Sequence, residues 1–228
     1  MIDATVTEKL ALCMIKENKT LNSALADTDS YLLLSMLLEM VDEGCLSFSD
    51  KKFKWYEALI DGAFRLTGMP PYEAHKRLLY NALAAYEKPD IPFTYAIGPE
   101  NSMFSEKNAR AIIDSLTDSL ILKGYARREK KKLIVNEQVF AEISEEVRKG
   151  ILCRESASED TLTLILLLEG WGGVLKRFFN AYERKTYQKC IKNLFEDKSN
   201  PRIAAILKFL EYKDAEDASN ISLMMLTM

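Results

Sequence analysis

The stretch Thr161-Leu-Thr-Leu-Ile-Leu-Leu-Leu-Glu-Gly170 decides the fold of this chain. Six of the seven residues that follow Thr161 are apolar, so a helix built on them has no polar face and must be covered on all sides. Ser156 and Glu159 fit a capping box before the stretch, and Gly172 and Gly173 are typical of the end of a helix. At about ten residues, the stretch is shorter than the roughly 20 that span a bilayer. It therefore predicts the central helix of a soluble, mostly helical domain.

Amphipathic periodicity predicts further helices on both sides of this central stretch. Two of them end at Gly44 and Gly124, 80 residues apart, and each is followed by a short hairpin, at 46–55 and at 125–135. No linker rich in Pro, Gly or Ser divides the chain. We therefore predict a mainly α fold: one globular helical domain over residues 1–228 around a buried central helix, with short β-hairpins. The predicted helices cover 5–17, 27–43, 57–67, 72–86, 108–123, 138–151, 161–170, 174–182, 187–195 and a last helix from Pro201.

The two helix–hairpin units are interpreted as copies of one arrangement, and convergent use of the same helix-end and turn residues is the alternative. Aligned on Gly44 and Gly124, they also match Lys52 with Lys132, Phe53 with Leu133 and Trp55 with Val135. The alignment predicts that both hairpins have their second strand at the same distance from the glycine.

The composition argues against several classes of function. The 228 residues carry a net charge of -3 and a pI of about 5.5, whereas a domain that binds nucleic acid through phosphates usually has a pI above about 9. None of the four cysteines belongs to a CxxC pair, and the chain begins without a basic and apolar leader, so a cytoplasmic protein with free thiols is expected. No phosphate-loop, dinucleotide, metalloprotease or nucleophile-elbow motif occurs, so we predict no enzyme, no cofactor and no metal site. The one histidine, His75, lies in a charged amphipathic segment, which predicts a position at the surface or at its boundary.

Four blocks of apolar residues and glycines carry a resemblance to a known family. They are Ser35-Met-Leu-Leu-Glu-Met-Val-Asp-Glu-Gly-Cys-Leu-Ser-Phe48, Leu78-Leu-Tyr-Asn-Ala-Leu83, Asn108-Ala-Arg110 to Leu122-Lys-Gly-Tyr125, and Asp160-Thr-Leu-Thr-Leu-Ile-Leu-Leu-Leu-Glu-Gly-Trp171 to Phe178. Their order resembles the Golgi phosphoprotein 3-like family, which also has bacterial and archaeal members. The resemblance runs over residues 5–212 and implies a mostly helical fold around a buried helix.

The resemblance also implies a function. Eukaryotic members are peripheral membrane proteins of the Golgi that bind phosphatidylinositol 4-phosphate and the tails of glycosylation enzymes, through a lipid pocket with a tryptophan and several arginines. In this sequence Arg110 matches one of the arginines, whereas Leu33 and Ile113 stand at two others and Ala24 stands at the tryptophan position. We therefore expect a prokaryotic-type member whose binding depends on lipid charge, without preference for one phosphoinositide.

The basic run Arg127-Arg-Glu-Lys-Lys-Lys132 is the strongest local charge feature. Cations in a hairpin can attract anionic headgroups, which predicts a non-enzymatic binding module on an anionic membrane surface or on a protein partner. The alternative is the wing of a winged-helix DNA-binding regulator, but the acidic residues Asp114 and Asp118 on the preceding helix would repel phosphates. A plain solvated turn is the third interpretation. The predicted anion-binding residues are Arg110, Arg127, Arg128, Lys130, Lys131 and Lys132.

Overall fold

The computed structural model describes residues 2–18, 21, 26–52, 62–97, 106–153, 157–172, 174–196 and 200–226. Within these ranges the protein is mainly α, with short antiparallel strand pairs between helices, as predicted. The helices are α1 Val6–Asn18, α2 Ala26–Asp42, α3 Ala74–Ala84, α4 Phe93–Ile97, α5 Glu106–Leu122, α6 Glu137–Leu152, α7 Glu159–Gly170, α8 Arg184–Glu196 and α9 Pro201–Leu226, with a 3₁₀ turn at Val174–Phe178. The strands are β1 Leu46–Ser49, β2 Ala63–Leu66, β3 Ile91–Pro92, β4 Ala126–Glu129 and β5 Lys132–Val135.

Helix α7 is the buried central helix that the sequence predicts. It packs against α1, α6 and α9, and all its residues from Thr161 to Leu168 are buried except the half-buried Leu162. Its N-cap is Ser158, whose Oγ accepts a hydrogen bond from the backbone N–H of Thr161 at 3.1 Å. The predicted capping box is therefore wrong by two residues, because Ser158 lies directly before the first helical turn and Ser156 lies outside the described residues.

The two glycine-terminated helices end in the same way. Gly44 and Gly124 have φ angles of +73° and +72°, a left-handed conformation that glycine adopts without steric cost. At both ends the glycine N–H donates to a carbonyl three residues back, and the next residue donates to one five residues back, at distances between 2.8 and 3.0 Å. This is the Schellman pattern, so the predicted helix ends are confirmed.

The first hairpin differs from its prediction. Strand β1 pairs with β2 at Ala63–Leu66, in the register Leu46 opposite Leu66, so the predicted helix over 57–67 is wrong at this strand. Phe64 accounts for the difference, because it is buried against Phe48 and Phe93 in a three-stranded sheet with the order β1-β2-β3. The predicted second strand at 53–55 lies outside the described residues.

The second hairpin follows its prediction. Strands β4 and β5 pair with Ala126 opposite Val135. Because Leu66 and Val135 each pair with the first residue of their hairpin, they are the equivalent positions. The alignment of Trp55 with Val135 is therefore wrong, since residues 50–62 join the first pair of strands and only residues 130–131 join the second.

A cluster of charged side chains is buried where α1, α2 and α3 meet. The Nζ atom of Lys76, which is 1% exposed, lies 3.0 Å from Glu39 and 3.3 Å from Glu73, and it also contacts Glu43. Burial by itself lowers the pKa of Lys76, but the Coulombic attraction of Glu39 and hydrogen bonds to the carboxylates outweigh it and raise the pKa.

His75 is also buried, at 2% exposed, so its predicted surface position is wrong. Its side chain lies on the face of α3 that packs against the neighbouring helices, together with the buried Leu79 and Leu83. Burial, assisted by the positive charge of Lys76, lowers the pKa of His75 to about 4. Its Nε2 atom has no hydrogen-bond partner in the described structure.

The apolar core joins all the longer helices. Buried side chains from α1 to α9 belong to one connected cluster in which the residues of α7 are central. In the part of the chain that is described, no helix combines the length and the apolar character needed to cross a membrane.

Candidate functional site

The basic run forms a tight β-hairpin. Strands β4 and β5 are joined by a two-residue turn, Lys130-Lys131. Lys130 has a φ of +57°, and among the described residues it alone adopts a positive φ without being a glycine. Left-handed backbone costs a residue with a Cβ roughly 1–2 kcal/mol, and hairpin turns usually place Gly, Asn or Asp in such positions. A lysine therefore stands where local turn preferences disfavour it.

Successive side chains of a strand point to opposite faces of the hairpin, so the predicted site residues are divided between its two faces. Arg128 pairs with Leu133, which is buried, so these two side chains share the face that meets the protein. Arg127 lies on the opposite, outward face, where its Nε donates to Glu129 Oε1 at 2.8 Å. Lys132 pairs with Glu129 across the strands on that same face. Glu129 thus offsets part of the outward positive charge.

A cavity of about 280 Å³ lies between this hairpin and helix α5. Three of the predicted site residues line it together: Arg128, Lys130 and Lys131. Helix α5 contributes Asp114 and Thr117 to the opposite wall, and Leu21 and Leu133 add apolar surface. We call this space the hairpin cavity.

The other three predicted residues lie outside the lining of the hairpin cavity. Arg127 and Lys132 are exposed on the outward face of the hairpin. Arg110 is exposed on α5, four residues before Asp114, which places both on one side of that helix. Three of the six predicted site residues therefore line the hairpin cavity, and the other three lie outside it.

The charges of the hairpin cavity do not cancel. Three cations and one carboxylate give three minus one, a formal charge of +2. Thr117 adds no donor, because its hydroxyl already donates to the carbonyl of Ile113 at 2.8 Å. Within the described part of the chain, no ion pair restrains Arg128, Lys130 or Lys131. An anion that enters the cavity would therefore meet three cations that no ion pair among the described residues holds in place.

The first hairpin provides an internal comparison, because two of its cations, Lys51 and Arg65, are paired with one carboxylate. Asp90 accepts a hydrogen bond from Arg65 Nε at 2.5 Å, and its other oxygen lies 3.1 Å from Lys51 Nζ. The hydrogen bond from Arg65 is the largest cause that lowers the pKa of Asp90, to about 2. At the first hairpin, Asp90 thus holds the cations Lys51 and Arg65, whereas at the second hairpin Asp114 forms no ion pair with Arg128, Lys130 or Lys131 among the described residues.

Sequence reasoning missed the cavity and the residues that α5 adds to it. The sequence indicates Asp114 only as an acid that would repel DNA phosphates, although its spacing of four from Arg110 places both residues on one side of α5. The direction in which the hairpin folds back on α5 depends on long-range packing, which no local pattern reveals.

A larger groove of about 810 Å³ lies between α6 and the start of α7. Its inner wall contains the ion pair of Lys9 with Glu146, at 2.8 Å, and the Thr161 hydroxyl donates to the same carboxylate at 3.0 Å. Because these groups satisfy one another, they do not indicate a ligand. No group of three or more His, Cys, Asp or Glu side chains in the described residues is arranged to hold a metal ion.

Comparisons with known proteins add no further assignment. No protein-family model matches this sequence, and no curated protein matches it. The resemblance described above therefore stays a prediction from its four sequence blocks, and the functional argument depends on the geometry of the hairpin.

Proposed function

We propose that this protein is a non-enzymatic binding module that docks on an anionic membrane surface through the hairpin of β4 and β5. The observation that supports this most is the set of cations Arg128, Lys130 and Lys131 gathered at one cavity without a contacting countercharge. Lys51 and Arg65 at the first hairpin are exposed as well, yet both are paired with the carboxylate of Asp90. An external anion would complete the second hairpin in the way that Asp90 completes the first.

The backbone of the turn supports the same proposal. Lys130 keeps a positive φ at which glycine or asparagine would be less strained. Strain of this kind is retained mainly where a side chain serves a purpose other than stability. A cationic side chain at the tip of a hairpin serves electrostatic docking directly.

The expected binding is weak and reversible. Each Lys or Arg near an anionic leaflet contributes about 1 kcal/mol, and this attraction falls off within a Debye length of about 8 Å at physiological salt. Three cavity cations would therefore contribute about 3 kcal/mol. The residues outside the basic hairpin carry a net negative charge, because the net charge of the complete sequence is -3. Docking would thus orient the hairpin toward the lipid and the remaining surface away from it.

Winged-helix binding to DNA is the weaker alternative. A recognition helix enters the major groove between two rows of phosphates, and Asp114 on α5 would stand beside the very cations that should contact them. A flat anionic surface meets the hairpin tip without requiring α5 to enter a groove between two rows of phosphates.

Co-sedimentation with liposomes tests the proposal. Wild-type protein is expected to sediment with vesicles rich in phosphatidylserine at low salt, not with vesicles of pure phosphatidylcholine, and to lose most of this binding near physiological salt. The triple variant Arg128→Glu, Lys130→Glu and Lys131→Glu should abolish binding and keep the thermal unfolding temperature nearly unchanged, because all three side chains are exposed.

A second triple variant provides the matched control. Arg184, Lys185 and Lys189 are exposed on α8, so reversing them to Glu changes the net charge by the same amount at a different place. This control should still sediment with anionic vesicles. The proposal is wrong if the wild type does not sediment at low salt, or if both triple variants lose binding equally.

A further inference from the structure

We infer that Asp114 limits the affinity of the hairpin cavity for anions and thereby determines how strongly binding responds to ligand charge. This inference rests on the proposed function, because it concerns the same cavity. The ligand chemistry is a phosphate group, which a lipid headgroup or a free phosphate could supply.

The position of Asp114 supports this role. Its carboxylate lines the wall of the cavity opposite Arg128, Lys130 and Lys131, and it is exposed there. No ion pair within 4 Å joins Asp114 to these cations in the described structure, so it does not hold them as Asp90 holds Arg65 and Lys51. A phosphate that enters the cavity must therefore approach both the cations and an uncompensated carboxylate.

Coulomb's law gives the direction and the scale of the effect. Replacing Asp114 by Asn removes the one negative charge of the lining and raises its formal charge from +2 to +3. At an exposed site, removing one such repulsion corresponds to about a three-fold gain in affinity for each charge on the ligand. A phosphodiester with one charge should gain about three-fold, and a phosphate monoester with nearly two charges should gain about ten-fold.

The consequence is a cavity tuned for reversible contact. With Asp114 present, a single headgroup is held weakly, so the protein can leave the surface when salt or lipid charge changes. Asp114 would therefore act as a specificity-determining residue rather than as a structural one, since its side chain is exposed and makes no described ion pair.

The test compares Asp114→Asn with Asp118→Asn. Asp118 lies one turn further along α5, is also exposed and does not line the cavity, and its substitution changes the net charge identically. Binding is measured with vesicles that contain phosphatidic acid, a phosphate monoester, and with vesicles that contain phosphatidylglycerol, a phosphodiester. Asp114→Asn should bind the first about ten-fold and the second about three-fold more tightly than the wild type, whereas Asp118→Asn should change either affinity by less than about two-fold.

The outcomes separate this inference from the proposed function. If Asp114→Asn binds like the wild type while the hairpin triple reversal still abolishes binding, the inference is wrong and the proposed function stands. Equal gains for both Asn variants would also contradict it, because they would show an effect of net charge alone. If neither the wild type nor Asp114→Asn binds any vesicle, both ideas fail.

Inorganic phosphate added as a competitor distinguishes the two sources of the ligand. Displacement of the wild-type protein from phosphatidic acid vesicles by inorganic phosphate, beyond the displacement by chloride at the same ionic strength, supports capture of the phosphate group itself in the cavity. Equal displacement by phosphate and by chloride would contradict a cavity that recognises the phosphate and would assign the binding to the outward face.

Discussion

At the scale of single residues, the least expected feature is a charged cluster inside the fold. His75 and Lys76 lie on a helix whose polar residues suggest a solvated face, yet both are buried. Lys76 is held by Glu39, Glu43 and Glu73, and Glu39 also accepts the backbone N–H of Thr7 at 2.6 Å. A buried charge of this kind is tolerated because each group has a partner, and removal of one partner would leave the others uncompensated.

Because His75 is buried, we predict that the free energy of unfolding falls as the pH becomes acidic. Its pKa is lowered to about 4 in the folded state, mainly by burial, whereas an ordinary histidine titrates near 6.5. Because the folded pKa lies below the unfolded one, the contribution of His75 is fully present above about pH 6.5 and is lost as the pH falls toward 4. At pH 4.5 the loss is roughly 2–3 kcal/mol. The charged groups that face His75 are Glu8, Glu73, Lys76 and Lys123.

The measurement is the free energy of unfolding in urea at pH 7 and at pH 4.5, for the wild type and for His75→Gln. Glutamine does not titrate, so the variant should lose roughly 2–3 kcal/mol less than the wild type between the two pH values. Asp42, Glu43 and Asp90 also titrate with shifted pKa values, but their contributions cancel in this comparison. Identical losses in both proteins would contradict the buried position of His75.

At the scale of elements, the close approach of α6 and α7 depends on one glycine. Gly150 is buried on α6, and a Cβ at this position would lie 2.5 Å from Thr161 Cγ2 and 3.1 Å from Ile165 Cδ1 on α7. Thr161 cannot turn away easily, because its hydroxyl donates to Glu146 and its backbone N–H binds Ser158. The absence of a side chain at Gly150 therefore allows α7 to lie this close to α6.

Gly150→Ala is expected to destabilise the protein by about 1–2 kcal/mol. Alanine gains about 1 kcal/mol from helix propensity, but overpacking of a tight contact typically costs 1–3 kcal/mol and the steric overlap here is severe. Thermal unfolding measures the change, with Lys149→Ala as the control at the adjacent exposed position, where less than about 0.5 kcal/mol is expected. A more stable Gly150→Ala variant would show that α6 and α7 are further apart than described.

Some elements could be predicted from sequence, and others could not, for physical reasons. The ends of α2 and α5 follow from Gly44 and Gly124, because the Schellman pattern is a local rule. The predicted partner of β1 is wrong, because the polar residues Asp50 to Lys52 suggest a tight turn that would pair β1 with residues 53–55, whereas the real partner is set by long-range packing. The hairpin of β4 and β5 was assigned correctly because only residues 130–131 separate its strands.

At the scale of the whole molecule, the buried central helix could be predicted from the sequence, whereas the hairpin cavity could not. The central helix follows from hydrophobicity alone, since an apolar stretch without a polar face has to be covered by its neighbours. The hairpin cavity has no such signature, because Arg128 on β4 and Asp114 on α5 meet only when the hairpin folds back on the helix. Sequence therefore identified the cations and missed the wall that faces them.

The location of the lipid contact is the central claim, and an NMR titration tests it most directly. Backbone amide resonances would be followed while small anionic bicelles containing phosphatidylglycerol are added at low salt. We predict that the largest shift changes or line broadening occur at Arg128, Lys130 and Lys131, extend to Asp114 and Thr117 on α5, and reverse when salt is added. Changes confined to other parts of the chain, such as α8, or no changes at the hairpin while the protein binds bicelles, would contradict the account.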